Sequence, residues 1–259
     1  MKKLEKIYEG KAKVLFTTED PDLLIQVFKD EATAFNAEKR GTIPGKGPIN
    51  NQISARLFEL LGKKKVTTHF VRLLSPSEML VRRLKIFPLE VVVRNLIAGS
   101  AARRLGIEEG KLIDRAVVEF YLKNDALGDP LINEDLALSL KLASEQEMKK
   151  LRKLALRVNR CLVPFLKKRK LILVDFKLEF GSHDGEILLG DEISPDTCRL
   201  WDAATREKLD KDRFRRDLGG AEEAYREVFR RICEGVKPSP SSVDAETKPE
   251  PTDGGRKEA

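Results

Sequence analysis

Residues 171–199 read LILVDFKLEFGSHDGEILLGDEISPDTCR, and this stretch decides the fold. It opens with four aliphatic residues, which is the pattern of a buried strand. Strict alternation follows, with Asp175, Lys177 and Glu179 separated by phenylalanine and leucine. Because successive side chains of a strand point to opposite faces, the apolar ones pack on a core and the three charges share the other face. That charged face lines either solvent or a cleft.

More acidic side chains follow this strand. Turn residues at 183–185 and an aliphatic run at 187–189 lead into Asp191 and Glu192, which predicts a β-hairpin. Solvated charge on the outer side of an ordinary hairpin would give the same alternation. The loop at 194–199 nevertheless adds a further acid and an arginine at the same end. Carboxylates grouped around a lysine suit divalent cations and phosphate oxygens, which favours a cleft.

The register of the hairpin decides which acid joins the charged face. A two-residue turn at 184–185 would set Lys177 opposite Glu192 and direct Asp191 into the core. A three-residue loop at 183–185 instead sets Lys177 opposite Asp191, on the side of the strand's own carboxylates. Because burial of an unpaired carboxylate is costly, we predict the three-residue loop.

Composition narrows the class of protein. With 41% hydrophobic and 35% charged residues over 259 positions, the chain has the balance of one large globular domain or two small lobes. Its two histidines disfavour a histidine-based triad or a histidine-rich metal site. Its three cysteines, without C-x-x-C spacing, argue against a disulfide framework and a zinc site. The net charge of +7 suits anionic ligands, either nucleic acid or phosphorylated metabolites.

The sequence shows no sign of a membrane or secretory segment. No apolar run approaches the length of a membrane span, and the opening MKKLEKIYEG lacks an apolar stretch behind its lysines. We therefore expect a cytoplasmic protein that does not bind membranes.

The first half of the chain reads mainly as antiparallel strands. Lys11 and Lys13 would share one strand face, which either serves a polyphosphate or is a solvated edge. Further strands are predicted at 66–74, 79–84 and 89–95, as neighbours in one sheet.

A phosphate site is one interpretation of the segment after the last of these strands. Ser100 stands where a helix N-cap is expected, close to Arg94 in the sequence. A helix N-terminus beside an arginine favours phosphate, although simple capping and ion pairing would give the same pattern.

The second half mixes helices with strands. Ser144 and Glu147 form a capping box at the start of a long helix, and another amphipathic helix covers 221–232. From residue 236 the composition turns to proline, serine and charge without periodicity, which predicts a disordered tail at 236–259. Strands followed by helices in this order predict an α+β fold with a cleft between two lobes.

Two long segments carry a resemblance to a known family. LVDFKLEFG at 173–181 and GDEISPDTCRLWD at 190–202 closely resemble the signature segments of phosphoribosylaminoimidazole-succinocarboxamide synthase, the SAICAR synthetase family of purine biosynthesis. YEGKAK at 8–13, VVVRNLIAGS at 91–100 and KNDALGDP at 123–130 are similar to further family segments in the same order. The resemblance reaches about residue 234 and leaves out the tail.

The resemblance implies a fold and a reaction. The fold is that of SAICAR synthetases, related to ATP-grasp proteins, with an ATP-binding cleft between a β-rich nucleotide-binding lobe (1–85) and an α/β substrate- and metal-binding lobe (86–235). The reaction is a carbon–nitrogen ligation driven by ATP and Mg²⁺. It joins the carboxylate of an imidazole carboxylate ribonucleotide to the amino group of L-aspartate through an acyl phosphate.

Site residues are carried over by motif from this resemblance. The nucleotide is assigned to Lys11, Lys13 and Lys123. Mg²⁺ is assigned to Glu179 and Asp191. The ribonucleotide is assigned to Arg94, Ser100 and Arg199. Lys177 and Asp175 are the predicted catalytic residues, and Asp129 and Arg215 the further substrate-binding residues. The position of L-aspartate stays open, with Lys177, Asp129 and Arg215 as its expected neighbours.

Two other classes of protein fit part of the pattern. A small-molecule or lipid kinase with a two-lobed ATP site would need the same lysines and carboxylates but would phosphorylate a hydroxyl group. A nucleic-acid-binding module would explain the basic charge, yet aromatic residues are only 6% of the chain and stand mostly at apolar periodic positions. We rank that module last and expect no nucleic-acid partner. Members of the resembling family are commonly homo-oligomers, so a homodimer is favoured.

Overall fold

The structure, a computed structural model, describes residues 1–34 and 38–234. Its first sheet consists of β1 (Lys6–Glu9), β2 (Lys13–Thr17), β3 (Leu23–Phe28), β6 (Phe70–Ser75) and β7 (Glu78–Arg82). The strands are antiparallel and lie in the order β1-β2-β3-β7-β6. A separate two-stranded pair joins β4 (Glu31–Ala34) to β5 (Lys39–Thr42). This part of the chain is therefore mainly antiparallel β-structure, as predicted.

The second sheet is built around the stretch that opens the sequence analysis. It consists of β8 (Lys85–Leu96), β9 (Leu112–Leu122), β10 (Leu131–Ile132), β11 (Leu171–His183), β12 (Glu186–Leu189) and β13 (Cys198–Asp202). β11 pairs with β8 along one edge and with β12 and β13 along the other. Phe176, Leu178 and Phe180 are at most 1% exposed, so the apolar face of β11 packs on the core as the alternation predicts.

Six helices of the described residues cover these sheets. They are α1 (Lys46–Lys63), α2 (Gly99–Leu105), α3 (Glu134–Ser139), α4 (Glu145–Lys167), α5 (Asp212–Arg215) and α6 (Ala221–Cys233). The predicted capping box is present, because Ser144 accepts a hydrogen bond from the Glu147 amide and Glu147 accepts one from the Ser144 amide. α4 packs on β8, β9 and β11, whereas α1 lies against the first sheet and α6.

One continuous apolar cluster connects the two sheets with α1, α4 and α6. The α+β architecture agrees with the predicted fold class, while the division between residues 85 and 86 stays a prediction. The tail predicted at 236–259 lies outside the described residues. Within residues 1–34 and 38–234, no helix is long and apolar enough to cross a membrane.

The third strand of the predicted N-terminal sheet lies elsewhere. Residues 89–95 belong to β8, which pairs with β9 and β11 rather than with β7. Leu89, Val91 and Val93 are fully buried between the layers, and both neighbouring strands come from later in the chain. Strand propensity identified the element correctly, but the partner of a strand is set by long-range packing that the local pattern does not contain.

The register predicted for the central hairpin is wrong. His183 pairs with Glu186, so the turn contains only Asp184 and Gly185. Both turn residues have positive φ, 49° and 77°, which is the conformation of a type I′ turn. Such a turn matches the right-handed twist of the strands, and this preference outweighed the argument from charge burial. β12 ends before Asp191, whose own positive φ of 57° turns the chain out of the strand, so its carboxylate does not enter the core.

Substitution of Gly181 would test how tightly β11 packs against the segment leading into β8. A Cβ at Gly181 would lie 2.6 Å from the Leu84 Cβ and 3.0 Å from the Lys85 carbonyl oxygen. We expect Gly181→Ala to lower the free energy of unfolding by about 1–3 kcal/mol, because backbone must move to admit the methyl group. Gly62→Ala is the control, since a Cβ at Gly62 would have no atom within 4 Å apart from its chain neighbours and the backbone of its own helix. That helical substitution should stabilise by about 0.5–1 kcal/mol. Urea unfolding curves measure both, and equal effects would contradict the packing argument.

Candidate active site

One cavity of about 740 Å³ collects the predicted site residues. Its wall contains Lys11, Lys13, Arg94, Ser100, Lys123, Asp129, Asp175, Lys177, Glu179, Asp191, Arg199 and Arg215. The residues come from both sheets and from the loops around them. Every site residue assigned in the sequence analysis therefore lines this one cavity, although the role of each stays a prediction.

Lys177 lies at the centre of a cluster of carboxylates. Its Nζ is 2.9 Å from Oε1 of Glu179 and from Oε1 of Glu90, and 3.7 Å from Oδ2 of Asp191. The pairing of β11 with β8 sets Glu179 opposite Glu90, so one lysine bridges both strands. Burial acts to lower the pKa of Lys177, but Glu179, Asp191 and Glu90 outweigh it and hold that pKa well above its ordinary value. The ammonium group therefore stays charged.

Lys13 brings a second cation to these acids from the first sheet. It pairs with Asp191, and its Nζ is 3.1 Å from Oε1 of Glu192. Burial opposes the charged form of Lys13, but the two carboxylates raise its pKa above the ordinary value. Although burial acts to raise the pKa of Asp191, Lys13 and Lys177 hold it below its ordinary range. Both carboxylate and lysine are thus ionised at neutral pH.

Two further lysines stand at the same end of the cavity. Lys123 donates to Oε1 of Glu179 at 2.7 Å, and Lys11 donates to Oδ1 of Asp125 at 2.7 Å. The prediction that Lys11 and Lys13 share a strand face is wrong, because β2 begins at Lys13 and Lys11 lies in the bend before it. Gly10, just before this bend, also lines the cavity, and a Cβ there would lie 2.8 Å from the Tyr8 hydroxyl oxygen.

Arg94 forms the opposite end of the cavity with its neighbours on the second sheet. Its guanidinium donates to Asp175 at 2.6 Å, to Glu119 at 2.8 Å, to Tyr121 at 2.9 Å and to Ser100 at 3.2 Å. Burial acts to lower the pKa of Arg94, but its acidic partners raise it above the ordinary value. Such a fully paired arginine, only 3% exposed, has a single orientation.

Arg199 completes this end from β13. It donates to both oxygens of Asp175 at 3.0 Å and to Asp212 at 2.9 Å, so Asp175 is shared between two arginines. A Cβ at Gly99 would clash with the Arg199 guanidinium, and the positive φ of 55° at this position also favours glycine. The expected N-cap at Ser100 is wrong, since α2 begins at Gly99 with Ala98 at its N-cap. The Ser100 hydroxyl instead accepts a hydrogen bond from Arg94.

Asp129 and Arg215 border the cavity with their side chains already held by hydrogen bonds. Asp129 accepts a hydrogen bond from the Asn124 amide at 2.8 Å, which closes its own loop. Arg215 donates to Asp212 at 2.7 Å, and Asp212 thereby orients both Arg215 and Arg199. α5, although only four residues long, fixes two cationic side chains at the cavity wall.

Five charged residues of the wall were not among the assigned site residues. They are Glu90, Asp125, Glu192, Asp196 and Lys211. Glu192 and Asp196 stand inside the long segment at 190–202, where their density of charge was a usable signal. Lys211 lies in an ordinary polar stretch, and Glu90 precedes three valines, so neither could be singled out without knowing the strand pairing.

The carboxylates fit the needs of a nucleotide-bound Mg²⁺. Among the described residues, no group of three or more His, Cys, Asp or Glu side chains is arranged to hold a metal by itself. Mg²⁺ on a nucleotide commonly takes only one or two carboxylates, with phosphate oxygens and water as the other ligands. Glu179 and Asp191 both reach Lys177 and both carry hard oxygen donors, so this pair can supply that share.

Comparison with known proteins decides the family. The family model described as SAICAR synthetase matches residues 6–232. The chain belongs to the SAICAR synthetase family. The phosphoribosylaminoimidazole-succinocarboxamide synthase of Coprothermobacter proteolyticus is 59% identical over 233 residues, which cover 90% of this chain and 99% of that protein. The enzyme of the same name from Chlorobaculum parvum is 57% identical over 234 residues, covering 90% of this chain and all of that protein.

Solved structures of the SAICAR synthetase family share the fold. The crystal structure of the synthase from Ehrlichia chaffeensis has a TM-score of 0.86 and 47% identity, and the match covers 88% of this chain and 98% of that one. A SAICAR synthetase in complex with ADP has a TM-score of 0.85 and 49% identity, covering 90% and 99%. The predicted fold class and the predicted activity, an ATP-dependent ligase reaction of purine biosynthesis, are confirmed. A kinase or a nucleic-acid-binding module is not favoured.

Proposed function

We propose that the charged face of β11 aligns the substrates of SAICAR formation in one line. Asp175, Lys177 and Glu179 follow one another on this face. Asp175 holds the two arginines at one end of the cavity, and Glu179 meets the lysines at the other. Lys177 lies between them. This arrangement is the main support for the proposal. The arginines that would bind phosphate lie on one side of the Lys177 ammonium group, and the carboxylates that would bind the metal lie on the other.

The lysine end would hold ATP and Mg²⁺. Lys11, Lys13 and Lys123 supply three cations for the phosphates, and Glu179 and Asp191 supply carboxylates for Mg²⁺. Bound Mg²⁺ would neutralise charge on the β- and γ-phosphates. In the structure Lys13 pairs with Asp191 and Lys123 with Glu179, while Lys11 pairs with Asp125. Nucleotide binding therefore exchanges lysine–carboxylate contacts for lysine–phosphate contacts without leaving a charge unpaired.

The arginine end would hold the ribonucleotide through its phosphate group. Arg199 and Arg94 present guanidinium groups, and Ser100 presents a hydroxyl beside them. Asp175 contacts both arginines at 2.6–3.0 Å, so it fixes their spacing before the ligand arrives. Preorganisation of this kind lowers the entropy that binding must overcome.

Lys177 would then act where charge accumulates during the reaction. A carboxylate oxygen of the ribonucleotide attacks the γ-phosphorus, the bond to ADP breaks, and an acyl phosphate forms. The amine of L-aspartate next attacks the acyl carbon, loses a proton, and inorganic phosphate leaves. A fixed ammonium beside the reacting groups stabilises the negative charge on the transferred phosphoryl group.

L-Aspartate would lie toward Arg215 and Lys211. These two cations line the same cavity on the segment that follows β13, and a dicarboxylate amino acid offers two anionic groups to them. Asp129 and Lys177 border the remaining space. The two cations of the wall are thus complementary to the two carboxylates of L-aspartate.

We further propose that the protein is a cytoplasmic homodimer. In this proposal nucleotide binding involves mainly residues 1–85, and substrate and metal binding involve mainly residues 86–235.

An isotope experiment tests the proposed reaction. The chain is mixed with ATP, Mg²⁺, L-aspartate and imidazole carboxylate ribonucleotide labelled with ¹⁸O in its carboxylate. We expect one ADP and one amide product per turnover, with one ¹⁸O atom in the released phosphate, because a carboxylate oxygen bridges to phosphorus in the acyl phosphate. Little ADP should form without either co-substrate. Unlabelled phosphate, or transfer to a hydroxyl acceptor, would contradict the proposal.

The arginine end predicts a specific failure of Arg94→Lys. Lysine keeps the charge but cannot donate to Asp175, Glu119, Tyr121 and Ser100 together. We expect the free energy of unfolding to fall by about 1–3 kcal/mol. Calorimetric titration should show a larger loss of ribonucleotide affinity than of ATP affinity.

Arg103→Lys is the matched control for this substitution. Arg103 lies on the exposed surface of α2, so we expect its replacement to change neither stability nor affinity measurably. Equal weakening of ribonucleotide and ATP by Arg94→Lys would count against the assigned end.

The lysine end predicts that Asp191→Asn impairs Mg²⁺-ATP use. Asparagine tolerates the left-handed backbone that Asp191 adopts, so the fold should be retained. We expect the Mg²⁺ concentration for half-maximal activity to rise about 10- to 100-fold, the range seen when support for a metal site is removed. Asp184→Asn is the control, because that left-handed aspartate is exposed in the hairpin turn. An unchanged Mg²⁺ dependence of Asp191→Asn would exclude Asp191 from the metal site.

A further inference from the structure

A buried ionic cluster lies behind the cavity wall. Asp196 faces the cavity, and its Oδ1 accepts a hydrogen bond from the Tyr225 hydroxyl at 2.6 Å. Its Oδ2 accepts one from Lys46 at 2.9 Å. Lys46 and Tyr225 are both 0% exposed. An ion pair at such depth is rarely a source of stability, so its presence calls for a different explanation.

The cluster joins three distant parts of the chain. Lys46 begins α1, Tyr225 lies on α6, and Asp196 lies in the loop between β12 and β13. Both helices pack into the main apolar core, so neither donor can move independently of that core. The Asp196 carboxylate is therefore fixed from two directions.

The loop that carries Asp196 is tied at several further points. Ser54 of α1 donates to the Ile193 carbonyl at 3.1 Å. Ser194 donates to Glu192 at 2.5 Å and accepts from the Asp196 amide at 3.1 Å. The bonds from Lys46 and Ser54 hold the loop against α1, and the bonds of Ser194 fix the loop internally. Asp196 is thus part of a rigid wall.

Lys211 is the cavity-lining group that this wall positions. Its Nζ is 3.7 Å from Oδ2 of Asp196, and its amide donates to the Pro195 carbonyl at 3.1 Å. With both oxygens of Asp196 engaged by buried donors at shorter range, the carboxylate attracts Lys211 without capturing it in a close ion pair. The Lys211 ammonium remains available to an anionic group in the cavity.

We propose that Lys46, Tyr225 and Asp196 are positioning residues that set the Lys211 ammonium at the amino-acid end of the cavity. The inference rests on the proposed function in one respect, the location of a substrate carboxylate beside Lys211. Loss of either buried donor would free the Asp196 carboxylate to rotate toward Lys211 and form a close pair with it. Lys211 would then be withdrawn from the substrate.

A double-mutant cycle tests the proposal with Tyr225→Phe and Lys211→Met. Tyr225→Phe removes one hydroxyl and leaves the ring that fills the core, so the protein should fold. We expect kcat/KM for L-aspartate to fall about tenfold, with ATP affinity within twofold of the parent. In the Lys211→Met background the same substitution should cost less than twofold, because the group that it positions is gone. Lys46→Met provides a second donor deletion with the same expected pattern.

Val228→Ala is the matched control on α6. Val228 is fully buried in the main core and has no polar contact, so its truncation should lower the melting temperature and leave kcat/KM within twofold. Equal losses from Tyr225→Phe in the parent and the Lys211→Met backgrounds would overturn the proposal, as would a folded Tyr225→Phe protein with parental kcat/KM. A parent protein that forms no amide would instead refute the proposed function, so the two failures are distinguishable.

Discussion

Charge pairing on β11 is the constraint on which the cavity depends. The strand buries its apolar face in the core, yet Asp175 and Glu179 on the opposite face are only 3% and 6% exposed. Carboxylates at that depth are stable only with partners, and a lone one would favour its neutral form. Arginines from β8 and β13 and lysines from β11 and the loop after β9 meet this need. The cavity is the space that these converging side chains enclose.

The same pairing prepares the site for anionic ligands. Because each cation has a carboxylate partner, the protein alone avoids repulsion among five or more basic groups in one cavity. Lys13 and Lys177 remain charged, since their carboxylate neighbours outweigh burial and raise the pKa of both. In the proposed complex, a polyphosphate with Mg²⁺ would offer phosphate oxygens to the lysines and a metal ion to the carboxylates. Replacing lysine–carboxylate pairs by lysine–phosphate pairs costs less free energy than burying a new unpaired charge.

Local sequence patterns predicted the helices and strands, whereas strand pairing and side-chain contacts were decided by long-range packing. The alternation of β11 and the capping box of Ser144 depend on neighbours within a few residues, so both could be predicted from the sequence. The Ser100 hydroxyl does not cap α2, since it accepts a hydrogen bond from Arg94, and the partner strands of β8 come from far away in sequence. Lys211 was missed for the same reason, because only the fold brings it to Asp196. The resemblance supplied the site residues, and the structure supplied their pairing.

The hairpin shows how a wrong register can still yield the predicted side-chain position. In a regular strand with the observed two-residue turn, Asp191 would point away from Lys177, because faces alternate at every residue. β12 instead ends at Leu189, and the left-handed backbone of Asp191 rotates its carboxylate back toward Lys13 and Lys177. Aspartate tolerates this conformation better than most residues, since its short side chain can stabilise the local backbone. A two-residue turn and a carboxylate directed at Lys177 are incompatible within one regular strand. They are reconciled here because β12 ends two residues before Asp191.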